Sequence, residues 1–166
     1  NIVAAKEIRI KLYELCYKSI AADFTEDKKH IDLSAEPMIL VCAAGLEGSV
    51  AADAAKEVAI YRAHKATPVV ITDTPEVFSS ALKVIEVPST TKELAFILST
   101  MAGHIFGYEA ALSIDAQATP FREVRSAIEL AVAQNPDMTG EVMLGNLKPQ
   151  IHKASQGFFD GQRSGD

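Results

Sequence analysis

The chain has 166 residues, of which 48% are hydrophobic and 23% charged, a composition that excludes a disordered chain and gives room for one core. A formal net charge of −6 argues against nucleic acid or an anionic membrane as the main partner. The two cysteines, Cys16 and Cys42, fall within apolar patterns, so neither a disulfide nor a zinc site is expected. With no secretory signal at its start, the chain is expected to work in a reducing cytoplasm, without a metal or cofactor.

The first predicted helix, over about residues 3–21, places charged side chains on one face. Glu7, Lys11 and Glu14 are spaced by four and three residues, and residues with this spacing are neighbours on a helix surface. The charged loop that follows carries His30. Two carboxylates, an amine and an imidazole can move protons on a small molecule. The same pattern is typical of a solvated helix face followed by a charged loop, and the residues alone leave both interpretations open.

Three short apolar runs are predicted to be strands of a parallel sheet. The run at 37–45 is apolar on both faces and ends in glycine, which is typical of a buried strand. Helical periodicity follows over 46–65, then a second strand over 67–74, a short helical turn that begins at Pro75, and a third strand over 82–88. Strands and helices that alternate with short connections predict right-handed βαβ units and an α/β fold.

The turn between the first strand and its helix, at 43–49, contains two glycines and a serine. Such a turn can present backbone N–H groups to an anion, but Glu47 at its mouth would repel a phosphate. An ordinary strand-to-helix turn is therefore favoured, with Ser49 as the predicted cap of the helix.

A long helix is predicted over 92–114, where the sequence is apolar nearly all round. We expect it to be largely buried, at a dimer or domain interface, and not to span a membrane, because charged and polar residues interrupt it. Gly103 and Gly107 have a spacing that permits close helix packing. His104 is predicted to be a hydrogen-bonded core residue, since none of the histidines has the spacing of metal ligands.

The last third of the chain is predicted to be helical with one interruption. A turn is expected near Thr119 and Pro120, followed by a helix over 121–134. We therefore divide the chain into a domain over 1–134 and an extension over 135–166, partly helical and ending in a flexible tail.

Over roughly residues 3–130, the order of these segments resembles the second sugar-isomerase (SIS) domain of the glucosamine-6-phosphate synthase family. That family has a helix with an E-x-x-x-K-L-K-E pattern, a loop that ends in K-H, and a strand that begins at proline. The matching residues here are Glu7, Lys11, Leu12, Glu14, Lys29, His30 and Pro37. The segments at 67–72, 82–88 and 103–120 follow in the family's order.

The resemblance implies a fold, an activity and a set of roles. The fold would be a three-layer α/β/α sandwich with a mostly parallel sheet, whose first strand is expected to lie before Asn1. Glu14 would be the base that transfers a proton in ketose–aldose isomerisation, and His30 would assist ring opening, reaching the neighbouring chain's site in a dimer. Glu7 and Lys11 would be the supporting charge pair. These residues are expected to converge beside the carboxyl ends of the sheet.

Two departures from the family leave the function open. Arg125 stands where the family's C-terminal segment supplies an essential lysine, and a guanidinium cannot act as a neutral amine. The family's phosphate-binding loop belongs to a first SIS domain that is expected to lie outside this chain. Arg125 is kept as a candidate substrate-binding residue.

Two functions follow from this comparison. One is part of a cytoplasmic, homodimeric sugar-phosphate isomerase or aminotransferase in amino-sugar metabolism, with a substrate of the fructose 6-phosphate or glucosamine 6-phosphate class. The alternative is a non-catalytic SIS module that binds a phosphosugar or dimerises within a larger protein. A receiver- or flavodoxin-like domain is disfavoured, because neither an acidic cluster at the first strand nor a flavin phosphate loop is visible.

Overall fold

The computed structural model of the chain describes residues 1–28 and 38–164. The elements are α1 (Ile2–Cys16), α2 (Thr25–Lys28), β1 (Met38–Cys42), α3 (Gly48–Ala63), β2 (Thr67–Thr72), a 3-10 turn (Pro75–Phe78), β3 (Lys83–Glu86), α4 (Ala95–Gln134) and α5 (Gly140–Ser164). The chain forms two compact units, Asn1–Glu109 and Ala110–Asp166. The domain boundary expected from the sequence, after residue 134, lies inside the second unit.

The first unit is built on a three-stranded parallel sheet in the order β1-β2-β3. Leu40 pairs with Val69, and Val70 pairs with Val84. The three predicted strands and the helical turn at Pro75 are confirmed, and so is the α/β class with a parallel sheet. The strand expected to be buried at 67–74 is the central strand β2 and is largely buried, whereas in β1, also expected to be buried, only Val41 is.

The core of this unit lies between the sheet and α3. Val41 and Val70 from the sheet pack with Val58 and Tyr61 from α3 and with Phe78 from the 3-10 turn, and all five are buried. Val58, Tyr61 and Phe78 fill most of the volume of this cluster. Burial of large apolar side chains is the main source of stability in such a core.

Helix α1 is shorter than predicted. Tyr17 has φ 53°, in the left-handed region, and its N–H donates to the carbonyl oxygen of Tyr13. This is a common way for a helix to end, because it satisfies one of the last carbonyl groups. The buried residues of α1 recur every four positions, which gives one inward stripe and leaves the rest of the helix at the surface. They are Ala4, Ile8, Leu12 and Cys16.

The start of α3 also differs from the prediction. The N-cap residue is Glu47, in extended conformation and without a side-chain cap bond, and the helix begins at Gly48. Ser49 therefore lies inside the first turn and is not the cap. Gly48 has φ 56°, a value that glycine adopts without steric cost, and this sets the entry of the helix without a capping side chain.

Helix α4 is a single helix of 40 residues, and the predicted turn near Thr119 and Pro120 is wrong. Pro120 has no N–H to donate within the helix. Side chains support the same turn: the Thr119 hydroxyl donates to the Asp115 carbonyl oxygen at 2.8 Å, and Arg122 donates to the Asp115 carboxylate at 2.8 Å. These bonds tie the residues on either side of Pro120 to the preceding turn, and none of them replaces the hydrogen bond to the Ala116 carbonyl oxygen that Pro120 cannot make.

The expectation that the helix at 92–114 is largely buried is also wrong. Its buried positions are the small residues Ala95, Ser99, Gly103 and Gly107, whereas many of its large apolar residues, such as Ile97, Met101 and Ile105, are exposed. Gly103 and Gly107 face the side chains of α1, so the close packing expected of the two glycines is present on this side.

The second unit contains the rest of α4 and α5. The rings of Phe121 and Phe158 meet edge to face with centroids 4.9 Å apart. Helix α5 continues to Ser164, so the part of the predicted flexible tail that the structure describes is helical. In the described part of the chain, every helix is too short or too polar to cross a membrane.

Candidate functional site

The charged face of α1 contains three of the four residues predicted to be catalytic. Lys11 Nζ lies 2.8 Å from Glu14 Oε2, and Glu7 is one turn earlier on the same helix. The hydrogen bond and the negative charge of Glu14 raise the pKa of Lys11, and the charge of Glu7 adds to this. Lys11 is therefore a cation that holds a carboxylate in place, as the sequence spacing indicates.

An imidazole faces this group from α4. Nε2 of His104 lies 3.3 Å from Oε1 of Glu7, with both side chains about 40% exposed. The Nε2 atom itself is shielded from solvent, and the contact lacks hydrogen-bond geometry, so Nε2 has no hydrogen bond among the described residues. His104 was predicted to be a hydrogen-bonded core residue, and for its Nε2 atom this prediction is wrong. Nε2 faces Glu7, one of the predicted site residues.

Of the other two predicted site residues, one is not described and the other belongs to the second unit. His30 lies outside the described residues, so the structure does not place it. Arg125 lies on α4 in the second unit, where its Nε donates to Glu129 Oε1 at 2.8 Å and its side chain is 79% exposed. This pairing raises the pKa of Arg125, so the residue is a permanent cation.

The start of α1 is fixed at the carboxyl end of β1. The Asn1 side chain donates from Nδ2 to the Ala44 carbonyl oxygen at 2.9 Å, and the Ser99 hydroxyl donates to Asn1 Oδ1 at 3.4 Å. An α-helix rises about 1.5 Å per residue, so Glu14 lies roughly 20 Å further along α1. The carboxyl end of β1 is thus occupied by Asn1, and the expectation that Glu14 lies there is wrong.

A pocket of about 430 Å³ lies on the other side of α1. Its walls come from α1, residues 20–26, β1 and α3, and they are mainly apolar. The charged lining residues are Arg9, Asp23, Glu26, Asp53 and Glu57. Four carboxylates against one guanidinium disfavour a phosphorylated ligand. Within the described residues, the lining does not include Glu7, Lys11 or Glu14.

Two weakly acidic side chains line the same pocket. Burial raises the pKa of the Cys42 thiol to about 11, although the Asn1 amine opposes the shift. Burial, followed by the charge of Glu57, also raises the pKa of Tyr61, whose hydroxyl donates to the Thr25 carbonyl oxygen. Both groups are neutral near pH 7, so neither is an activated nucleophile.

The turn between β1 and α3 is an ordinary structural turn, as the sequence favoured. The Gly45 N–H donates to Asp73 Oδ1 at 2.8 Å, so a carboxylate of the protein occupies the place that an anion would need. Gly45 has φ 71°, and a Cβ at this position would lie 2.5 Å from the Ala95 Cβ. Sequence reasoning did not find Asp73, although an aspartate directly after a strand is a frequent turn residue.

Among residues 1–28 and 38–164, histidine, cysteine and carboxylate side chains form no group of three that could hold a metal ion. Two groups of side chains in this part of the chain could act chemically, the α1 face with His104 and the acidic pocket. Comparison of the chain with protein-family models, with curated proteins and with solved structures finds no match in any of the three.

Proposed function

We propose that the chain is part of a sugar-phosphate isomerase or aminotransferase of the glucosamine-6-phosphate synthase type, with Glu14 as the proton-transfer base. In this proposal the parallel sheet belongs to a three-layer SIS-like sandwich. The substrate is a phosphorylated sugar of the fructose 6-phosphate or glucosamine 6-phosphate class, and the protein acts in amino-sugar metabolism in the cytoplasm.

The observation that carries the proposal is the contact between Lys11 and Glu14, with Glu7 one turn away. The Lys11 ammonium group, 2.8 Å from Glu14 Oε2, holds that carboxylate in one orientation on the exposed face of α1. Glu14 is also about half exposed, so a substrate can reach it.

The proposed chemistry is a proton transfer between adjacent carbons. The Glu14 carboxylate takes a proton from C1 of the open-chain ketose, which gives an enediolate with its negative charge on O2. A proton then passes from the O1 hydroxyl to O2, and Glu14 returns its own proton to C2, which gives the aldose with its carbonyl at C1. His30 would exchange a proton with the ring oxygen during ring opening, a role that rests on the sequence resemblance alone. Lys11 would keep Glu14 oriented through its hydrogen bond.

The site is an open face, and a second surface would be needed to close it over a substrate. Beside the charged residues, α1 exposes Tyr13 and Tyr17, with 63% and 89% of their surface accessible. Exposed aromatic side chains next to a charged cluster are typical of a surface that contacts another domain or subunit. A phosphate-binding partner surface would supply the cations that the described part of this face lacks beyond Lys11.

The test is an isomerase assay of the intact protein with fructose 6-phosphate, with and without ammonia. Replacement of Glu14 by glutamine keeps the shape of the side chain and removes the base, so turnover should fall by about 10²- to 10⁴-fold. Unchanged turnover in the Glu14→Gln protein would reject the proposed role.

A matched control separates chemistry from the loss of a surface charge. Asp160→Asn removes a carboxylate from an exposed pair of the same spacing, in which Asp160 Oδ1 lies 3.6 Å from Arg163 Nη1. This variant should retain full turnover. Circular dichroism and thermal unfolding should be unchanged in both variants, because exposed ion pairs contribute little to stability.

A second function is favoured by Arg125. A guanidinium held by Glu129 cannot form the covalent intermediate that a neutral lysine amine can form. The chain would then be a non-catalytic module that binds a phosphosugar. Binding of fructose 6-phosphate in calorimetry, without turnover in the assay above, would support the module and reject the enzyme.

A further inference from the structure

The exposed side of α4 in the first unit carries a continuous apolar ridge. Its large side chains are spaced by three or four positions, so they form one stripe along the helix, and each is between 43% and 64% exposed. The ridge consists of Leu94, directly before α4, and of Ile97, Met101, Ile105 and Tyr108 on the helix. Side chains of this size expose roughly 600 Å² together, at the upper end of what a monomer surface usually shows.

An apolar groove of about 400 Å³ runs beside this ridge. One wall is formed by Ile85, Val87 and Pro88, at the end of β3 and after it, and the other by α4. Leu98, Ala102 and Phe106 line the α4 wall. Among the described lining residues, only Glu86 and Glu109 carry polar side chains, so the groove offers almost nothing to bind a sugar or a phosphate.

The ridge borders the groove, since Met101 and Ile105 belong to both. In a two-fold symmetric pair the same patch occurs on both partners, so the two ridges can pack against each other with a groove on either side. The ridge alone offers roughly 600 Å² of the roughly 800 Å² per partner that a standard interface buries, and the residues on the β3 side of the groove add to it.

The charges at the two ends of the ridge select an orientation. Lys92 lies exposed at its amino end and Glu109 exposed at its carboxyl end. In an antiparallel pair that crosses near Met101, Lys92 of each copy approaches Glu109 of the other, whereas a parallel pair would place like charges together. The antiparallel arrangement also opposes the two helix dipoles.

We propose that this face of α4 is a homodimer interface, in which two copies pack antiparallel across a two-fold axis at Met101. Leu94 of one copy then faces Tyr108 of the other, and Ile97 faces Ile105. The interface uses α4 and the end of β3, so it does not depend on the chemistry proposed for α1.

The oligomeric state tests the interface. Sedimentation and light scattering should show a dimer for the unaltered protein, and Met101→Glu should weaken dimerisation by about 100-fold or more, since two charges would meet at the axis. Val142→Glu, which places the same charge on an exposed apolar position of α5, should remain dimeric. An unaltered protein that is monomeric at 100 µM, or a Met101→Glu protein that remains fully dimeric, would overturn the proposal.

Disulfide trapping tests the orientation and does not need the charged variants to fold. Met101→Cys should cross-link to itself, and a mixture of Leu94→Cys and Tyr108→Cys should form a cross-linked heterodimer under mild oxidation. Leu94→Cys alone should not cross-link, and neither should the unaltered protein with its two native cysteines. Self-cross-linking of Leu94→Cys would indicate a parallel pair and contradict the antiparallel arrangement.

Discussion

Ile8 of α1 packs directly against Gly103 of α4: a Cβ placed on Gly103 would lie 2.2 Å from two carbon atoms of the Ile8 side chain. Ile8 is β-branched and buried, so it has few alternative rotamers. The two helices can approach this closely only because position 103 has no side chain.

The first prediction is that Gly103→Ala destabilises the protein. Alanine gains helix propensity of up to about 1 kcal/mol over glycine, but overpacking costs about 1–3 kcal/mol, so the free energy of unfolding should fall. Chemical denaturation of the purified variant measures this change. An increase in stability would show that Ile8 can move away.

Gly107→Ala is the matched control for this prediction. A Cβ on Gly107 would lie 3.8 Å from Leu12 Cδ2, which is ordinary contact, so the gain in propensity should dominate and stability should be unchanged or higher. The double variant Ile8→Ala with Gly103→Ala should lose less stability than the sum of the single changes, because the two residues share one space.

The second prediction concerns the two glycines of the turn before α3. Gly45 and Gly48 both have positive φ. A Cβ on Gly45 would clash with the Ala95 Cβ at 2.5 Å, whereas a Cβ on Gly48 would have no described atom within 4 Å. Gly48→Ala should cost about 1–2 kcal/mol for the left-handed backbone alone, and Gly45→Ala should cost more.

The difference between these two variants reports on the contact with α4. Adding Ala95→Gly to Gly45→Ala should recover part of the lost stability, whereas adding it to Gly48→Ala should recover none. Equal stability of Gly45→Ala and Gly48→Ala in urea denaturation would contradict the close approach.

The third prediction is that Asp73→Ala lowers the free energy of unfolding by about 1–3 kcal/mol, because the partly buried Gly45 N–H loses its acceptor. Asp53→Ala is the control, since Asp53 pairs with Lys56 at the surface, and both side chains are more than 70% exposed. This control should change stability by at most about 1 kcal/mol. Similar effects of the two variants would show that the bond to Gly45 is not important.

The fourth prediction is that the Cys42 thiol reacts slowly at ordinary pH. Its folded pKa of about 11 lies above the usual 9.0, so the thiolate fraction at pH 8 is roughly 100-fold lower than for an ordinary cysteine. The alkylation rate by iodoacetamide, followed by mass spectrometry in a Cys16→Ala background, should still rise between pH 9 and 11.

The sign of the accompanying stability change follows from proton binding. Between 9.0 and about 11 the folded state keeps the Cys42 proton and the unfolded state loses it, so the stability contributed by this group is complete below pH 9 and is lost as pH rises through 11. An alkylation rate that levels off below pH 9 would show that burial does not raise the pKa. The same protein unfolded in urea provides the reference rate.

The sheet could be predicted because its signals are local. Each strand is a short apolar run bounded by glycine, proline or a charged residue. A run that is apolar on both faces, as in β2, is stable only where both faces are covered, which is the centre of a parallel sheet. The end of α4 at Gln134 was also predictable from the Asn135-Pro136 pair that follows it.

The course of α4 was not predictable from a local rule. A proline in a helix interior normally interrupts the helix, but α4 continues through Pro120, with Thr119 and Arg122 bonded to Asp115 in the preceding turn. Small residues recur every four positions on the buried side of α4, and this spacing indicates which side faces inward. The pattern is hard to recognise because the sequence is apolar on every side of the helix.

The site was predictable only within one helix. Spacing alone placed Lys11 beside Glu14, because neighbours on a helix surface follow from its geometry. The approach of His104 to Glu7 joins two helices that are far apart in the chain, and no local pattern encodes such a contact.

The order of the strands in space, β1-β2-β3, is the same as their order along the chain. Each new strand therefore pairs with the one synthesised just before it, and no strand has to wait for a distant segment. Because the strands are parallel, each pairing needs a crossover connection, but each crossover joins neighbouring strands only, so the contact order is lower than in a parallel sheet with interleaved strands. The sheet of the first unit can accordingly assemble strand by strand as the polypeptide leaves the ribosome.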